Sequence, residues 1–228
     1  MKKESRIILA LDIEDRNKAL KICEEVEEYI DAIKIGYPLV LSSNLEILAE
    51  IKKKFSKPLI ADFKVADIPE ISKRICKLAV EKGADYVIVH GFVGEEVIKA
   101  CSEVANIFVV ADMSHPGAER FMSRHSQEIA EISRKYAYGI VAPATRPGQI
   151  SKLRKIVKDL TIISPGIKAQ GAKVGDAIKA GADFEIIGRG IYQAPNPKEA
   201  VQEFSRIISN VKFRFDSAVM MNDGRSEG

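Results

Sequence analysis

Two rhythms of apolar residues alternate along the chain. Short, almost continuous apolar runs fall at 7–13, 32–36, 59–65, 86–90, 107–113, 139–142, 161–164 and 184–187, the pattern of strands buried on both faces. Between them apolar positions return at helical spacing, as in Ala19, Leu20, Ile22, Cys23 and Val26, or Leu45, Ile47, Leu48, Ile51 and Phe55. This spacing predicts helices over 17–29, 45–55, 69–82, 95–105, 127–135, 149–157 and 197–209. Strands recurring at intervals of about 20 to 30 residues, each feeding a helical stretch, predict an α/β chain folded as a single-domain (β/α)8 TIM barrel, with an open doubly wound sheet as the alternative. The barrel is expected to occupy 1–210. From Phe213 the chain turns polar and loses any period, so 211–228 reads as a C-terminal tail.

The third run breaks the rule that makes the others legible. Within Leu59-Ile60-Ala61-Asp62-Phe63-Lys64-Val65, alternation along a strand sends Asp62 and Lys64 to one side and Phe63 and Val65 to the other. An ion on a covered face costs several kcal/mol unless it is paired, so an Asp and a Lys side by side need a reason. A structural ion pair is one reading, with Asp67 and Glu70 forming a capping box for the next helix. A catalytic site is the other.

Composition narrows the setting. The chain has 228 residues, 46% of them hydrophobic, enough for one large core and too few for two comfortable ones. Its 35 basic and 32 acidic residues are mixed without long like-charged blocks, which gives no sign of nucleic-acid binding. No apolar run approaches the roughly 18 residues of a membrane helix, so a cytoplasmic protein is expected. Cys23, Cys76 and Cys101 are odd in number and far apart in sequence, which suggests reduced structural thiols rather than a disulfide framework or a zinc site.

In a (β/α)8 barrel chemistry sits at the carboxyl ends of the strands. Asp12, Lys34, Asp62, Lys64, Ser114 and Arg189 all fall at or near such ends. Singly each has a structural explanation; together they converge. Lys34, Asp62, Lys64 and Asp67 form an expected array of two cations and two anions, in which each neighbouring pair at about 4 Å is worth about 4 kcal/mol at an effective dielectric near 20. After the seventh and eighth strands, where such barrels often hold a phosphate, Pro165-Gly166-Ile167-Lys168-Ala169-Gln170-Gly171 offers backbone donors and Gly188-Arg189-Gly190 a guanidinium between two glycines.

Asp62-Phe63-Lys64-Val65-Ala66-Asp67-Ile68-Pro69, Met113-Ser114-His115-Pro116-Gly117, the 165–171 loop and Gly188-Arg189-Gly190-Ile191-Tyr192 together resemble orotidine 5'-phosphate decarboxylase, in its compact archaeal-like form, from Ile7 to about Ser209. The resemblance implies conversion of orotidine 5'-monophosphate (OMP) to UMP and carbon dioxide in de novo pyrimidine biosynthesis. It implies no metal or organic cofactor, and a homodimer with sites at the subunit interface. Lys64 looks like the acid that protonates C6, Asp62 the neighbour of the substrate carboxylate, and Lys34 the bridge from Asp62 to the ribose. Asp67 and Ile68 are implied to reach in from the partner subunit. Asp12 is implied to bind a ribose hydroxyl, Ser114 to read the pyrimidine edge and Gln170 to link base and phosphate. Pro165, Gly166, Ile167, Gly171, Gly188 and Arg189 complete the implied binding set around the phosphate. The chain departs from the family pattern at Ile71, where many relatives carry Thr, and at Lys168 and Ala172, where relatives commonly carry Gly. A magnesium-using sister enzyme acting on a sugar phosphate, and a silent nucleotide-binding barrel, are the rival readings.

Overall fold

Strands β1 (Ile7–Leu11), β2 (Ala32–Gly36), β3 (Leu59–Val65), β4 (Tyr86–His90), β5 (Ile107–Val110), β6 (Gly139–Val141), β7 (Thr161–Pro165) and β8 (Phe184–Ile187) pair in parallel and in sequence order. β8 returns to β1, with Ile8 opposite Ile186, so the sheet is a closed barrel and the doubly wound alternative falls away. Closure explains the apolar runs, because one face of each strand fills the barrel and the other meets the helices. The computed structural model describes residues 1–211. The predicted tail therefore lies, apart from its first residue, outside the described residues.

The helical layer comprises α1 (Arg16–Val26), α2 (Tyr37–Ser42), α3 (Ile47–Lys54), α4 (Pro69–Glu81), α5 (Glu95–Ser102), α6 (Met122–Tyr136), α7 (Pro147–Val157), α8 (Asp176–Ala180), α9 (Arg189–Tyr192) and α10 (Pro197–Ser209). Local chemistry starts several of them. The Asp15 carboxylate accepts from the Lys18 N–H and the Asn196 side chain from the Glu199 N–H, while proline opens α4, α7 and α10. Among the described residues no helix is long and apolar enough to cross a membrane. Cys23, Cys76 and Cys101 are free and buried in the helical layer.

Several elements differ from their predicted form. α6 starts at Met122, before the expected 127, and its buried face carries Ser126 and Ser133, whose hydroxyls donate to the Ser123 and Ile129 carbonyls. Those polar letters hide the helical period. α2, α8 and α9 are too short to display one at all. β1 and β5 end before the predicted 13 and 113, so that Asp12 and the 112–114 segment leave the ladder and turn over the barrel mouth.

Candidate active site

A cavity of about 250 Å³ opens at the carboxyl ends of the strands. Its floor is apolar, made by Ala10, Ile88, Val110, Val141 and Ile186, and its walls carry Asp12, Lys34, Asp62, Lys64, Ser114, Gln170 and Arg189. The register builds the ionic side. Ala10 lies opposite Lys34 and Gly36 opposite Asp62, which sets Asp12 beside Gly36 at the rim. A Cβ on Gly36 would stand 2.5 Å from the Asp12 carboxylate, so the missing side chain makes room for that ion.

The Lys34 ammonium lies 2.5 Å from Asp62 Oδ2 and 3.5 Å from Asp12 Oδ1, and the Lys64 ammonium lies 2.7 Å from Asp62 Oδ1. Lys34 is only 4% exposed and Asp62 7%, whereas Asp12 and Lys64 open toward the cavity. Burial works against both inner charges and loses. It opposes ionisation of Asp62, yet the lysines, Lys34 foremost, hold that carboxyl down at about 2. Burial likewise opposes the Lys34 ammonium, but Asp62 and Asp12 raise its pKa above the ordinary lysine value. Burial, reinforced by the Lys64 charge, lowers the pKa of His90 and so favours its neutral form beside the array.

Strand alternation alone does not produce this arrangement. Lys64 has a left-handed backbone, φ +43°, and the pairing of β3 with β4 shifts register between Ala61 and Val65. The irregular backbone re-aims Lys64, as bulges near functional sites often do. Phe63 packs on the far side against Tyr37, ring centroids 5.3 Å apart.

The four ions that meet within one chain are Asp12, Lys34, Asp62 and Lys64. The expected fourth member, Asp67, is exposed outside the cavity, and among the described residues no ion pair joins it to the array. It does not form the capping box either: its carboxylate accepts from the adjacent Ile68 N–H, and α4 has Ile68 at its N-cap with no side-chain bond. Ser72 instead holds the turn, its hydroxyl donating to the Asp67 carbonyl at 2.8 Å and accepting from the Asp67 N–H at 3.1 Å. Ile68 is 63% exposed and, like Gly171, does not line the cavity.

Opposite the ions lies the loop after β7. Gly166 leaves the strand at φ +107°, and the loop folds on itself through Lys168 N–H to Ala172 carbonyl, 2.7 Å, and Ala172 N–H to Gly166 carbonyl, 3.3 Å. Pro165, Gly166, Ile167 and Gln170 line the cavity. Lys168 turns away, its ammonium 5.3 Å from the centre of the Phe204 ring on α10, a contact that anchors the loop. Gly188 and the exposed Arg189 complete the wall, and among the described residues no ion pair engages the Arg189 guanidinium.

Sequence reasoning missed Asp112, Arg146 and Tyr192. Arg146 donates to Asp112 Oδ2 at 2.9 Å and to the carbonyls of Met113 and His115 at 2.7 and 2.9 Å, fastening the segment that carries Ser114. Tyr192 lines the cavity and donates to the Asp12 carbonyl at 3.4 Å. Asp112 lies two residues past β5, but Arg146 comes five residues past β6 at the start of α7, and no local pattern links the two. Among the described residues no group of three or more His, Cys, Asp or Glu side chains could hold a metal ion.

The whole layout has close counterparts. Orotidine 5'-phosphate decarboxylase from Methanosarcina mazei is 49% identical over 215 residues, covering 91% of this chain and 97% of the relative. The Thermococcus kodakarensis enzyme is 44% identical over 210 residues, covering 91% of this chain and 99% of that one. The crystal structure of orotidine 5'-monophosphate decarboxylase from Methanocaldococcus jannaschii complexed with inhibitor BMP is similar at a TM-score of 0.84 and 44% identity, covering 89% of this chain and 97% of that chain. Residues 5–204 match one family model throughout, and with relatives 44–49% identical over nine-tenths of its length, the chain belongs to the orotidine 5'-phosphate decarboxylase / HUMPS family.

Proposed function

We propose that this chain decarboxylates OMP to UMP, a step of pyrimidine biosynthesis, with Lys64 as the proton donor to C6. The observation that carries the reading is the buried Lys34–Asp62 pair with Lys64 on its cavity side. Breaking the bond from C6 to the carboxylate leaves its electron pair in an sp2 orbital that the ring delocalises poorly. A nearby ammonium both stabilises that pair and supplies the proton that ends on C6, while carbon dioxide departs. Lys64 is then neutral and regains a proton from solvent. Asp62 pairs with the Lys64 ammonium at 2.7 Å and so aims it, and stands beside the substrate carboxylate. No step of this scheme uses a metal or organic cofactor.

In the same reading Lys34 bridges Asp62 and the ribose, Asp12 takes a ribose hydroxyl, Ser114 meets the pyrimidine edge and Gln170 spans base and phosphate. Pro165, Gly166, Ile167, Gly171, Gly188 and Arg189 surround the phosphate, and its binding energy helps close the 166–174 loop over the base. Two protomers share each site, Asp67 and Ile68 reaching the partner's cavity. The exposure of Asp67, and of an apolar side chain at Ile68, supports this sharing.

The test is loss of OMP absorbance with purified protein in EDTA, repeated with Lys64→Ala. Turnover in chelator is expected, and Lys64→Ala should abolish it while leaving UMP binding measurable. Near-normal turnover by Lys64→Ala would sink the mechanism. Activity on a sugar phosphate that chelator removes would instead favour the magnesium-dependent rival, and UMP binding with OMP untouched would favour the silent one.

A further inference from the structure

Among the described residues the buried carboxylates are Asp31, Asp62, Asp112 and Glu185. Asp62 faces lysines, Asp112 faces Arg146, and Asp31 gathers the N–H groups of Glu4, Ser5 and Arg6 at the foot of the barrel. Glu185 is different. It occupies a fully buried position on β8, 0% exposed, where the barrel asks only for an apolar side chain. Its neighbour Ile186 lines the cavity, and Glu185 itself reaches the start of α8 in the outer layer.

Both its oxygens accept from the Gly175 N–H, at 2.9 and 3.0 Å, and Oε1 accepts also from the Ala177 N–H at 3.1 Å. Burial pushes this carboxyl up to about 7 against the pull of those N–H groups. A polar side chain buried at that cost, with only backbone N–H groups among these bonds, points to what it fastens. What it fastens is the far end of the 166–174 loop. The near end, Pro165, pairs with Ile186, so both feet of the loop are attached to successive residues of one strand. That strand runs on into Gly188 and Arg189, which line the cavity together with the loop.

We propose that Glu185 is a positioning residue for phosphate recognition: by holding Gly175 it sets the loop so that Gln170 and the 166–167 backbone face Arg189 across the cavity. The inference rests on the function proposed above and extends it to a residue outside the cavity. Removing the tether leaves the ionic array untouched and lets the loop's return foot drift. Losses are therefore expected only with ligands that carry a phosphate.

Full-length Glu185→Leu and Glu185→Gln are compared with the unaltered chain, using OMP and its phosphate-free nucleoside orotidine as substrates. For OMP, kcat/KM should fall at least about tenfold in Glu185→Leu, chiefly through KM, and by less in Glu185→Gln, whose amide oxygen still accepts from Gly175. Orotidine turnover should stay within about twofold. Equal losses on both substrates, or no loss on OMP, overturn the proposal. If Glu185→Leu fails to fold, Glu185→Gln decides on the same two ratios. If the unaltered chain does not turn over OMP, the decarboxylase reading fails by itself. Calorimetric binding of UMP against uridine then tests the tether alone, and it stands only if the variants lose UMP affinity selectively.

Discussion

Replacing Lys34 by Met should destabilise the protein strongly, and replacing its partner as well should restore most of the loss. Lys34 and Asp62 are buried 2.5 Å apart, and removal of one member of a buried pair typically costs about 3–5 kcal/mol, because the survivor is left charged and desolvated. Each survivor here keeps one partner at the cavity side, Lys64 at 2.7 Å from Asp62 and Asp12 at 3.5 Å from Lys34. Lys34→Met and Asp62→Leu are therefore expected at the lower end, about 3 kcal/mol each. The double variant leaves no buried orphan, since Asp12 and Lys64 can both turn to solvent, and should lie within about 1 kcal/mol of the parent. Urea unfolding at fixed protein concentration measures all four corners of this cycle. Turnover of OMP should be lost in all three variants, so the double variant would be stable and inactive. Single variants costing under about 1 kcal/mol, or a double variant as unstable as both singles combined, would refute the claim that the pair is buried and coupled.

Asp62 also predicts an acid dependence. Its carboxyl is held at about 2 against an ordinary 3.8, so its contribution to stability is present above 3.8 and is lost as pH falls toward 2. Urea midpoints should show this loss in the parent, and less of it in the Lys34→Met/Asp62→Leu variant. Arg189→Ala should weaken UMP binding by roughly 10- to 100-fold, the value of a hydrogen bond between ions, and leave uridine binding unchanged by calorimetry. Lys168→Gly relieves a left-handed backbone at φ +59° but forfeits the contact with Phe204. These effects, each about 1 kcal/mol, should nearly cancel in global stability, while amide exchange at 167–172 speeds up.

What was legible in the sequence is what the barrel imposes on every strand. Burial on both faces makes apolar runs, and ions that interrupt or end such runs stand out, which is how Asp12, Lys34, Asp62, Lys64 and Arg189 declared themselves. What stayed hidden depends on partners distant in sequence. α8 has only five residues, and its start is held by Glu185 through bonds that no local pattern announces. Asp112 and Arg146 are an unremarkable Asp and Arg until the fold sets them 2.9 Å apart.

The place of Asp12 beside Lys34 within one chain makes the same point at the site itself. Asp67 follows Lys64 by three residues and looks like its natural partner when the strand is read alone. Yet the chain turns outward after Val65, and Ser72 locks that turn by bonding the Asp67 backbone in both directions. Asp12 is distant in sequence, but parallel pairing of β1 with β2 and β2 with β3 brings Asp12, Gly36 and Asp62 level around the mouth. Gly36, lacking a side chain, leaves the space through which Asp12 reaches Lys34. Register between neighbouring strands is a property of the closed sheet and not of any one strand. An ion array assembled by register therefore joins Asp12, Lys34, Asp62 and Lys64 from three strands and their ends within one chain, while Asp67, beyond the end of β3, faces outward.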